Sequence, residues 1–271
     1  MKIVSLQPSV SITLARLGCL DALVACTRYC VEAVPELGVR GLPVVRDSWS
    51  VTAEELWALR PDLVVASVPY RNESLAAILK AGCPVLALAP HSLADVEQDI
   101  RLIAAVAGAP DRAETVIAEM RGAIEAARRR VRDRPHRPLV YCEEWGKPLI
   151  ASQLWVKELV EAAGGEFLGE PGRQTTTEVV AEADPEVVIA AWCGAGDRVP
   201  LEKLAARPGW ERMRAVREGR VFCIADELLN TPAPTLTDGL WAIEAALDDD
   251  VSSTAMGLRR ICESPKTARC V

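Results

Sequence analysis

The chain has 271 residues, half of them hydrophobic, so it can bury the core of one large domain or of two ordinary ones. Its formal net charge is −7 and its sequence pI is about 5.1. This acidic balance argues against a nucleic-acid partner, because such partners are bound through Lys and Arg contacts with phosphates. No apolar run approaches the ~20 residues of a membrane-spanning helix, so we do not expect the chain to span a membrane.

In chain order, the first part of the chain alternates short apolar runs with segments of helical periodicity. The runs predict strands and the periodic segments predict helices, and this alternation implies a parallel sheet with helices on both faces. The predicted strands are 2–6, 23–26, 63–67 and 85–88, the predicted helices are 10–18, 72–81 and 92–108, and the stretch 29–50 is rich in loops.

A long helix is predicted next, over 111–133, a segment without proline and with one glycine. Its apolar residues recur at helical spacing, and about 22 helical residues span roughly 33 Å. We interpret it as a rigid connector. The chain is therefore divided into an N-terminal α/β lobe (1–110), a connecting helix (111–134) and a C-terminal α/β lobe (135–250).

The second half of the chain repeats the alternation. Its last residues, 251–271, lack periodicity, and we expect a poorly ordered tail there. The predicted strands are 139–142, 187–191 and 221–224, the predicted helices are 153–163 and 236–247, and the stretch 201–217 is predicted to be mostly helical.

One pattern occurs in both halves, at 51–67 and at 175–191. Each copy begins with a capping-box signal, Thr52-x-x-Glu55 or Thr175-x-x-Glu178, which is typical of a helix start. A β-branched apolar run follows each short helix and predicts a strand buried on both faces. Two similar units predict two similar lobes with a cleft between them, and clefts bind small molecules.

Nine cysteines, an odd number in mostly apolar contexts, fit a reducing cytosol better than a secreted disulfide scaffold. The first predicted strand begins at residue 2, where a secretory leader would need a longer apolar stretch. We therefore expect a cytoplasmic location for the chain as written, and a periplasmic or extracellular one if a leader has been removed. With two histidines, a His-rich metal site is excluded, and we predict neither a metal site nor an intrinsic cofactor.

Several segments, in this order and spacing, resemble the helical-backbone (class III) substrate-binding proteins of metal-chelate ABC importers, and cobalamin-binding members in particular. The segments are IVSLQPSVSITLARLG (3–18), TRYC (27–30), LRPDLVVAS (59–67), APHSLADV (89–96), VKELVEAAGG (156–165) and GRVFCIADELLNTPAPTLTDGLWAIEAAL (219–247). The chain departs from the family at Ser11-Ile12, where the usual pair is Thr-Glu, and in its many cysteines.

The resemblance implies two Rossmann-like α/β lobes joined by a single long helix. It also implies non-catalytic binding of a metal chelate in the interlobe cleft, with cobalamin or a related corrinoid as the first expectation and a ferric siderophore or haem as the alternative. The role is that of an importer's substrate-binding component or of a cytosolic carrier or sensor. The implied partners are the chelate and an ABC importer permease.

Candidate ligand-binding residues lie in the loops expected at the carboxyl ends of the strands. Trp and Tyr among them offer the wide, rigid apolar surfaces that a flat corrin or porphyrin needs. The alternative for each aromatic residue is ordinary packing, and the alternative for Cys193 is burial as a small hydrophobic side chain. The candidates are Pro8, Ser9, Tyr29, Trp49, Tyr70, Arg71, Trp145, Trp192, Cys193 and Asn230. We expect Trp57, Trp155 and Trp241, at helical positions, to be core residues.

Two glutamates are candidates for contacts with a permease. In the resembled family a glutamate on each lobe pairs with permease arginines, and Glu73 and Glu202 stand at the matching positions. The alternative is a first-turn glutamate favoured by the helix dipole. No catalytic motif is present, so we predict no enzyme; the alternative from that class is a small-molecule enzyme that uses a Glu143–Trp145 loop.

Overall fold

The computed structural model describes residues 1–68, 72–80, 82–248 and 257–261. The chain forms two compact units, Met1–Arg121 with Thr231–Thr235, and Gly122–Asn230 with Leu236–Val271. The sequence-based lobe boundaries at residues 110 and 135 stay a prediction. No helix in the described ranges is long and apolar enough to cross a membrane.

The first unit is built on a five-stranded parallel sheet in the order β3-β2-β1-β4-β5. Its strands are β1 (Ile3–Ser5), β2 (Leu23–Thr27), β3 (Val44–Val45), β4 (Leu63–Ser67) and β5 (Val85–Leu88). Its helices are α1 (Pro8–Arg16), α2 (Arg28–Ala33), α3 (Glu36–Arg40), α4 (Ala53–Leu59), α5 (Asn72–Lys80) and α6 (Leu93–Val106), with a 3-10 turn at Leu20–Ala22. The central strands β1 and β4 are buried along their whole length, as expected for a parallel sheet covered on both faces.

The long helix α7 (Pro110–Val131) follows. Its apolar residues at helical spacing, from Val116 to Ala127, are buried, while the arginines of its last turns are exposed. The boundary between the two units falls inside this helix, after Arg121.

The second unit contains a seven-stranded mixed sheet in the order β12-β11-β10-β6-β7-β9, with β8 also paired to β6. Its strands are β6 (Leu139–Gly146), β7 (Leu149–Ala151), β8 (Glu166–Phe167), β9 (Gln174–Thr175), β10 (Val187–Ala190), β11 (Val221–Ile224) and β12 (Leu258–Arg260). Its helices are α8 (Leu154–Ala162), α9 (Thr177–Ala183), α10 (Leu201–Ala205), α11 (Arg214–Arg217), α12 (Asp226–Leu229) and α13 (Leu236–Asp248), with a 3-10 turn at Trp210–Arg212. The predicted α/β fold is confirmed. The second sheet is not the expected parallel sheet, because β7, β9 and β12 join it in antiparallel pairs.

The repeated sequence pattern forms the same local structure in both units. Thr52 and Glu55 make a complete capping box at the start of α4, and Thr176 caps α9 by accepting a hydrogen bond from the Val179 amide. The cap of α9 is thus one residue later than the predicted Thr175. Each helix ends at a residue with left-handed backbone, Arg60 (φ 46°) or Asp184 (φ 49°), from which the chain turns into β4 or β10.

The stretch 201–217 is mostly helical, as predicted, in three short pieces: α10, the 3-10 turn and α11. Three sequence-based expectations are wrong. The loop-rich stretch 29–50 contains most of α2 together with α3 and β3. Within the expected tail, Leu258–Arg260 form β12, which pairs antiparallel with β11 because the edge of that strand is otherwise open. Trp57 and Trp241 are each 54% exposed rather than core residues, whereas Trp155 is buried.

Candidate functional site

A cavity of about 760 Å³ lies in the second unit, where β6 and the chain leaving β10 end. This is the carboxyl edge of two neighbouring parallel strands, the usual place for a ligand in an α/β sheet. The described residues that line it are Trp145, Gly146, Lys147, Trp192, Cys193, Gly194, Ala195, Pro200, Lys203, Leu204, Ala206, Arg207 and Pro208. The predicted site residues Trp145, Trp192 and Cys193 are therefore brought together on one wall.

Trp192 lies flat against the backbone of β6. A Cβ atom added to Gly146 would come within 2.6 Å of the Trp192 ring, so this close approach requires glycine at position 146. The indole N–H of Trp192 donates to Glu143 Oε1 at 2.8 Å. Both contacts fix the orientation of the ring, which presents an aromatic surface to the cavity.

A buried ion pair lies beneath Trp192. Glu143 is fully buried, and its two carboxylate oxygens accept hydrogen bonds from Arg207, at 2.6 Å from Nη1 and 2.8 Å from Nη2. Tyr141 also donates to Glu143 Oε2, at 3.2 Å, and burial followed by the Glu143 charge raises the pKa of the Tyr141 hydroxyl. The Arg207 guanidinium stacks over Trp210 at 4.6 Å from the ring centroid. Such a bidentate, stacked pair satisfies the buried charge and makes the wall rigid.

The second indole, Trp145, lies at the rim of the cavity and is 44% exposed. Its N–H donates to the Lys147 carbonyl at 2.9 Å, within the hairpin that joins β6 to β7. The residues Glu143–Trp145 do not form the predicted loop but belong to β6, which has a bulge between Glu143 and Trp145. Because Glu143 is buried and saturated with donors, it is not available as a general acid or base.

Cys193 is exposed at the cavity and surrounded by polar groups. Its thiol donates to Glu144 Oε1 at 3.6 Å, and Asn230 Nδ2 points to its sulfur at 3.5 Å. Although the residue is exposed, the protein atoms around its sulfur partly desolvate the thiol, and this desolvation, together with the charges of Glu144 and Asp226, raises the pKa of the Cys193 thiol. The thiol stays protonated at neutral pH, and a protonated sulfur is a poor metal ligand. Asn230 thus contacts Cys193 next to the cavity, and its role in ligand binding stays a prediction.

The glycine-containing turn after Cys193 does not form an open phosphate site. The Asp226 carboxylate accepts hydrogen bonds from the backbone amides of Gly194 and Gly196, both at 2.7 Å. An acid of the same unit therefore occupies the backbone donors that a phosphate would need. In the described part of the chain, no group of three or more His, Cys, Asp or Glu side chains is arranged to hold a metal ion.

A second cavity, of about 420 Å³, lies in the first unit at the ends of β2 and β3. The predicted residue Tyr29 lines it, with its hydroxyl accepting from Arg28 Nη2 at 2.6 Å. Arg46 and Glu55 form an ion pair on its wall at 3.1 Å.

Pro8, Ser9 and Trp49 are not among the described residues that line the two cavities. Pro8 is the first residue of α1, and the buried Ser9 carbonyl accepts from Thr13 within that helix. Trp49 lies in an exposed turn, where its carbonyl accepts from Ser74 at 2.5 Å. Tyr70 and Arg71 lie outside the described residues.

The two glutamates predicted to contact a permease occupy equivalent positions. Glu73 is the second residue of α5, the helix after β4, and Glu202 is the second residue of α10, the helix after β10. Because β4 and β10 are the last elements of the two repeat copies, Glu73 and Glu202 stand at the same position relative to their copy of the repeat. Both are exposed.

The three cationic residues of the cavity, Lys147, Lys203 and Arg207, were not predicted from the sequence. For Arg207 a signal existed. Tyr141 and Glu143 are two positions apart in a strand, so their side chains lie on the same face. A carboxylate on a buried face needs a cationic partner from elsewhere in the fold. For the lysines no comparable signal exists, because an isolated lysine in a hairpin or a short helix is common on any surface.

The sequence profile of the periplasmic binding protein family matches residues 3–228. An uncharacterised ABC transporter substrate-binding lipoprotein of Bacillus subtilis is 24% identical over 261 residues, covering 92% of this chain and 80% of its own length. A cobalamin-binding protein of Halobacterium salinarum is 26% identical over 248 residues, covering 88% of this chain and 66% of its own.

Solved structures agree on the fold. The periplasmic haem-binding protein RhuT of Roseiflexus superposes with a TM-score of 0.76 at 27% identity, covering 91% of this chain and 98% of its own. The periplasmic vitamin B12 binding protein BtuF of Vibrio cholerae superposes with a TM-score of 0.72 at 20% identity, covering 92% and 96%.

Proposed function

Because this chain belongs to the periplasmic binding protein family, we propose that it binds a flat metal chelate, cobalamin or a related corrinoid first, at the aromatic cavity of its second unit. It is a substrate-binding protein of the ABC-importer class and not an enzyme. The observation that carries the ligand proposal is the pair of indoles, Trp145 and Trp192, on the wall of a cavity of about 760 Å³. Rigid aromatic surfaces in a cavity of this size suit a planar ring system.

The similarity to a protein named for cobalamin binding supports corrinoids as the first choice within this class. Haem is the second candidate, supported by the 27% identity to a haem-binding protein over nearly the whole chain. The direct test is titration calorimetry of the purified protein with cyanocobalamin, dicyanocobinamide, haemin and a ferric siderophore. Tightest binding of a corrinoid supports the proposal, and binding of haemin or the siderophore alone would replace it with the second candidate or with a siderophore role.

Family membership implies a permease as a partner, and we propose that Glu73 and Glu202 contact it. Their support is the equivalent position of the two side chains at the second residue of α5 and of α10, both exposed. Reversing both charges, Glu73→Lys with Glu202→Lys, should abolish ligand-dependent stimulation of the permease ATPase while leaving ligand affinity unchanged. The matched control reverses Glu119 and Glu182, two exposed glutamates elsewhere on the chain.

The cytoplasmic location expected from the cysteines also stays a proposal, since the relatives are described as lipoprotein or periplasmic proteins. Its support is that the seven cysteines described in the structure are free thiols, six of them buried or partly buried. Alkylation in intact cells, followed by mass spectrometry, tests it. Fully reduced Cys26 and Cys30 support the cytosol, and a disulfide between them would place the protein in an oxidising compartment.

A further inference from the structure

The cavity of the second unit has an unusual charge. The whole chain carries a net charge of −7, yet the described residues that line this cavity include three cationic side chains and no acidic one. Random placement of surface charge on an acidic protein favours the opposite result. The described wall of the cavity is therefore cationic although the whole molecule is acidic.

The three cations are not equivalent. Arg207 is held by Glu143 through two short hydrogen bonds, so its charge is neutralised within the protein. Lys147 and Lys203 are exposed, and neither belongs to an ion pair among the described residues. By contrast, Lys157, the other lysine described in this unit, lies 3.8 Å from Glu161.

Lys147 and Lys203 approach the cavity from different elements whose backbones are fixed. Lys147 lies in the β6–β7 hairpin, and its carbonyl accepts the Trp145 indole N–H at 2.9 Å. Lys203 lies on α10, with its amide bonded to the Pro200 carbonyl at 3.0 Å. Both side chains end in flexible ammonium groups beside the cavity that the two indoles line.

We propose that Lys147 and Lys203 bind an anionic substituent at the edge of the flat ligand, a carboxylate or a phosphodiester. This inference rests on the proposed function and extends it, because it assigns the ligand's charge as well as its shape. A chelate with a neutral periphery would leave both ammonium groups without a partner. A ligand with an anionic arm gains two charge-assisted hydrogen bonds at the cavity.

The experiment uses two pairs of probes that differ in the anionic group. Cyanocobalamin carries a phosphodiester that dicyanocobinamide lacks, and haemin carries carboxylates that its dimethyl ester lacks. Each is titrated into the unmodified protein and into the double variant Lys147→Gln with Lys203→Gln. Compared with the unmodified protein, we expect the double variant to bind the probe that carries the anionic group, in one of the pairs, about tenfold more weakly. Its affinity for the other probe of that pair should stay within about twofold. The effect is modest because partly exposed charge pairs contribute little free energy.

Two controls distinguish a charge effect from a structural one. Lys157→Gln, a lysine of the same unit outside the cavity, should bind every probe as the unmodified protein does. Lys147→Arg with Lys203→Arg should restore affinity, and raising the salt concentration should weaken the anionic probe in the unmodified protein more than in the double variant. Loss confined to cyanocobalamin identifies the phosphodiester, and loss confined to haemin identifies the carboxylates.

The inference would be overturned if the double variant lost equal affinity for the charged and the neutral probe of a pair. It would also be overturned if the double variant kept full affinity for every anionic probe that binds the unmodified protein. Either result leaves the proposed function in place. If none of the four probes binds the unmodified protein, the proposed function fails, and the assignment of the two lysines is rejected with it.

Discussion

The cavities of the two units lie at comparable places, the carboxyl ends of parallel strands, but they differ in how charge is arranged. The cavity of the first unit has two arginines and two acids on its wall, among them the Arg46–Glu55 pair, and so balances its own charge. The cavity of the second unit is larger and holds two indoles. It has cations without acids on its described wall.

This difference indicates a division of roles built on one architecture. A repeat of helix, left-handed turn and buried strand forms both units. The loops after the strands then decide what each can bind. In the second unit the acids next to the cavity are absent from its described lining. Glu143 is buried beneath Trp192 and paired with Arg207, and Asp226 is hydrogen-bonded to the backbone of the turn after Cys193. The described wall is therefore aromatic and cationic.

The largest expected effect separates the two ion pairs. Arg207→Ala leaves the Glu143 carboxylate buried without its cation, and should lower the free energy of unfolding by about 3–5 kcal/mol. Arg46→Ala, in the half-exposed pair of the first cavity, should lower it by about 1 kcal/mol or less. Urea denaturation measures both. Replacing both partners, Glu143→Leu with Arg207→Met, should recover most of the loss, and equal losses at Arg46 and Arg207 would contradict this account.

The next effect tests the contact between Trp192 and β6. Gly146→Ala introduces a Cβ atom 2.6 Å from the Trp192 ring, so the ring must move. We expect a loss of about 1–3 kcal/mol in the free energy of unfolding from overpacking, with weaker chelate binding because the aromatic wall is displaced. Gly122→Ala is the matched control, since an added Cβ meets nothing within 4 Å there. Unchanged stability and binding in Gly146→Ala would show that the ring is free to shift.

Trp145 tests the aromatic wall without disturbing the buried pair. Trp145→Ala should weaken chelate binding by about 1–3 kcal/mol and leave the melting temperature nearly unchanged, because the ring is 44% exposed. Trp192→Ala should reduce both, since it also removes a donor from Glu143. Trp241→Ala, an exposed tryptophan on α13 of the same unit, should alter neither. Calorimetry and thermal melting on the same preparations separate these outcomes.

Much of the fold could be predicted from the sequence because its signals are local. The capping box at Thr52 and Glu55 and the β-branched runs of β4 and β10 depend on neighbours within a few residues. The strand β12 could not be predicted, since it forms only when the open edge of β11 is available.

The site divides in the same way. Trp145, Trp192 and Cys193 could be selected because they follow predicted strands, where ligands meet an α/β sheet. Arg207 and Lys203 come from a segment whose helix is interrupted, and their approach to the cavity is decided by tertiary packing that periodicity does not encode.

The smallest expected effect contrasts two adjacent glutamates of β6. Burial raises the pKa of Glu144, and hydrogen bonds from Gln153 and Cys193 offset this only in part. The folded pKa therefore lies above the unfolded value, so ionised Glu144 destabilises the folded protein, fully so at pH values above the folded pKa. Glu144→Gln should then stabilise the protein at pH 7, and the gain should vanish as the pH falls below about 4, near the ordinary glutamate pKa. Glu143→Gln should have the opposite sign at pH 7, because it removes the counter-charge of Arg207. Urea midpoints between pH 3.5 and 8 give both curves, and a Glu144→Gln curve parallel to that of the unmodified protein would show that the carboxyl is hydrated rather than buried.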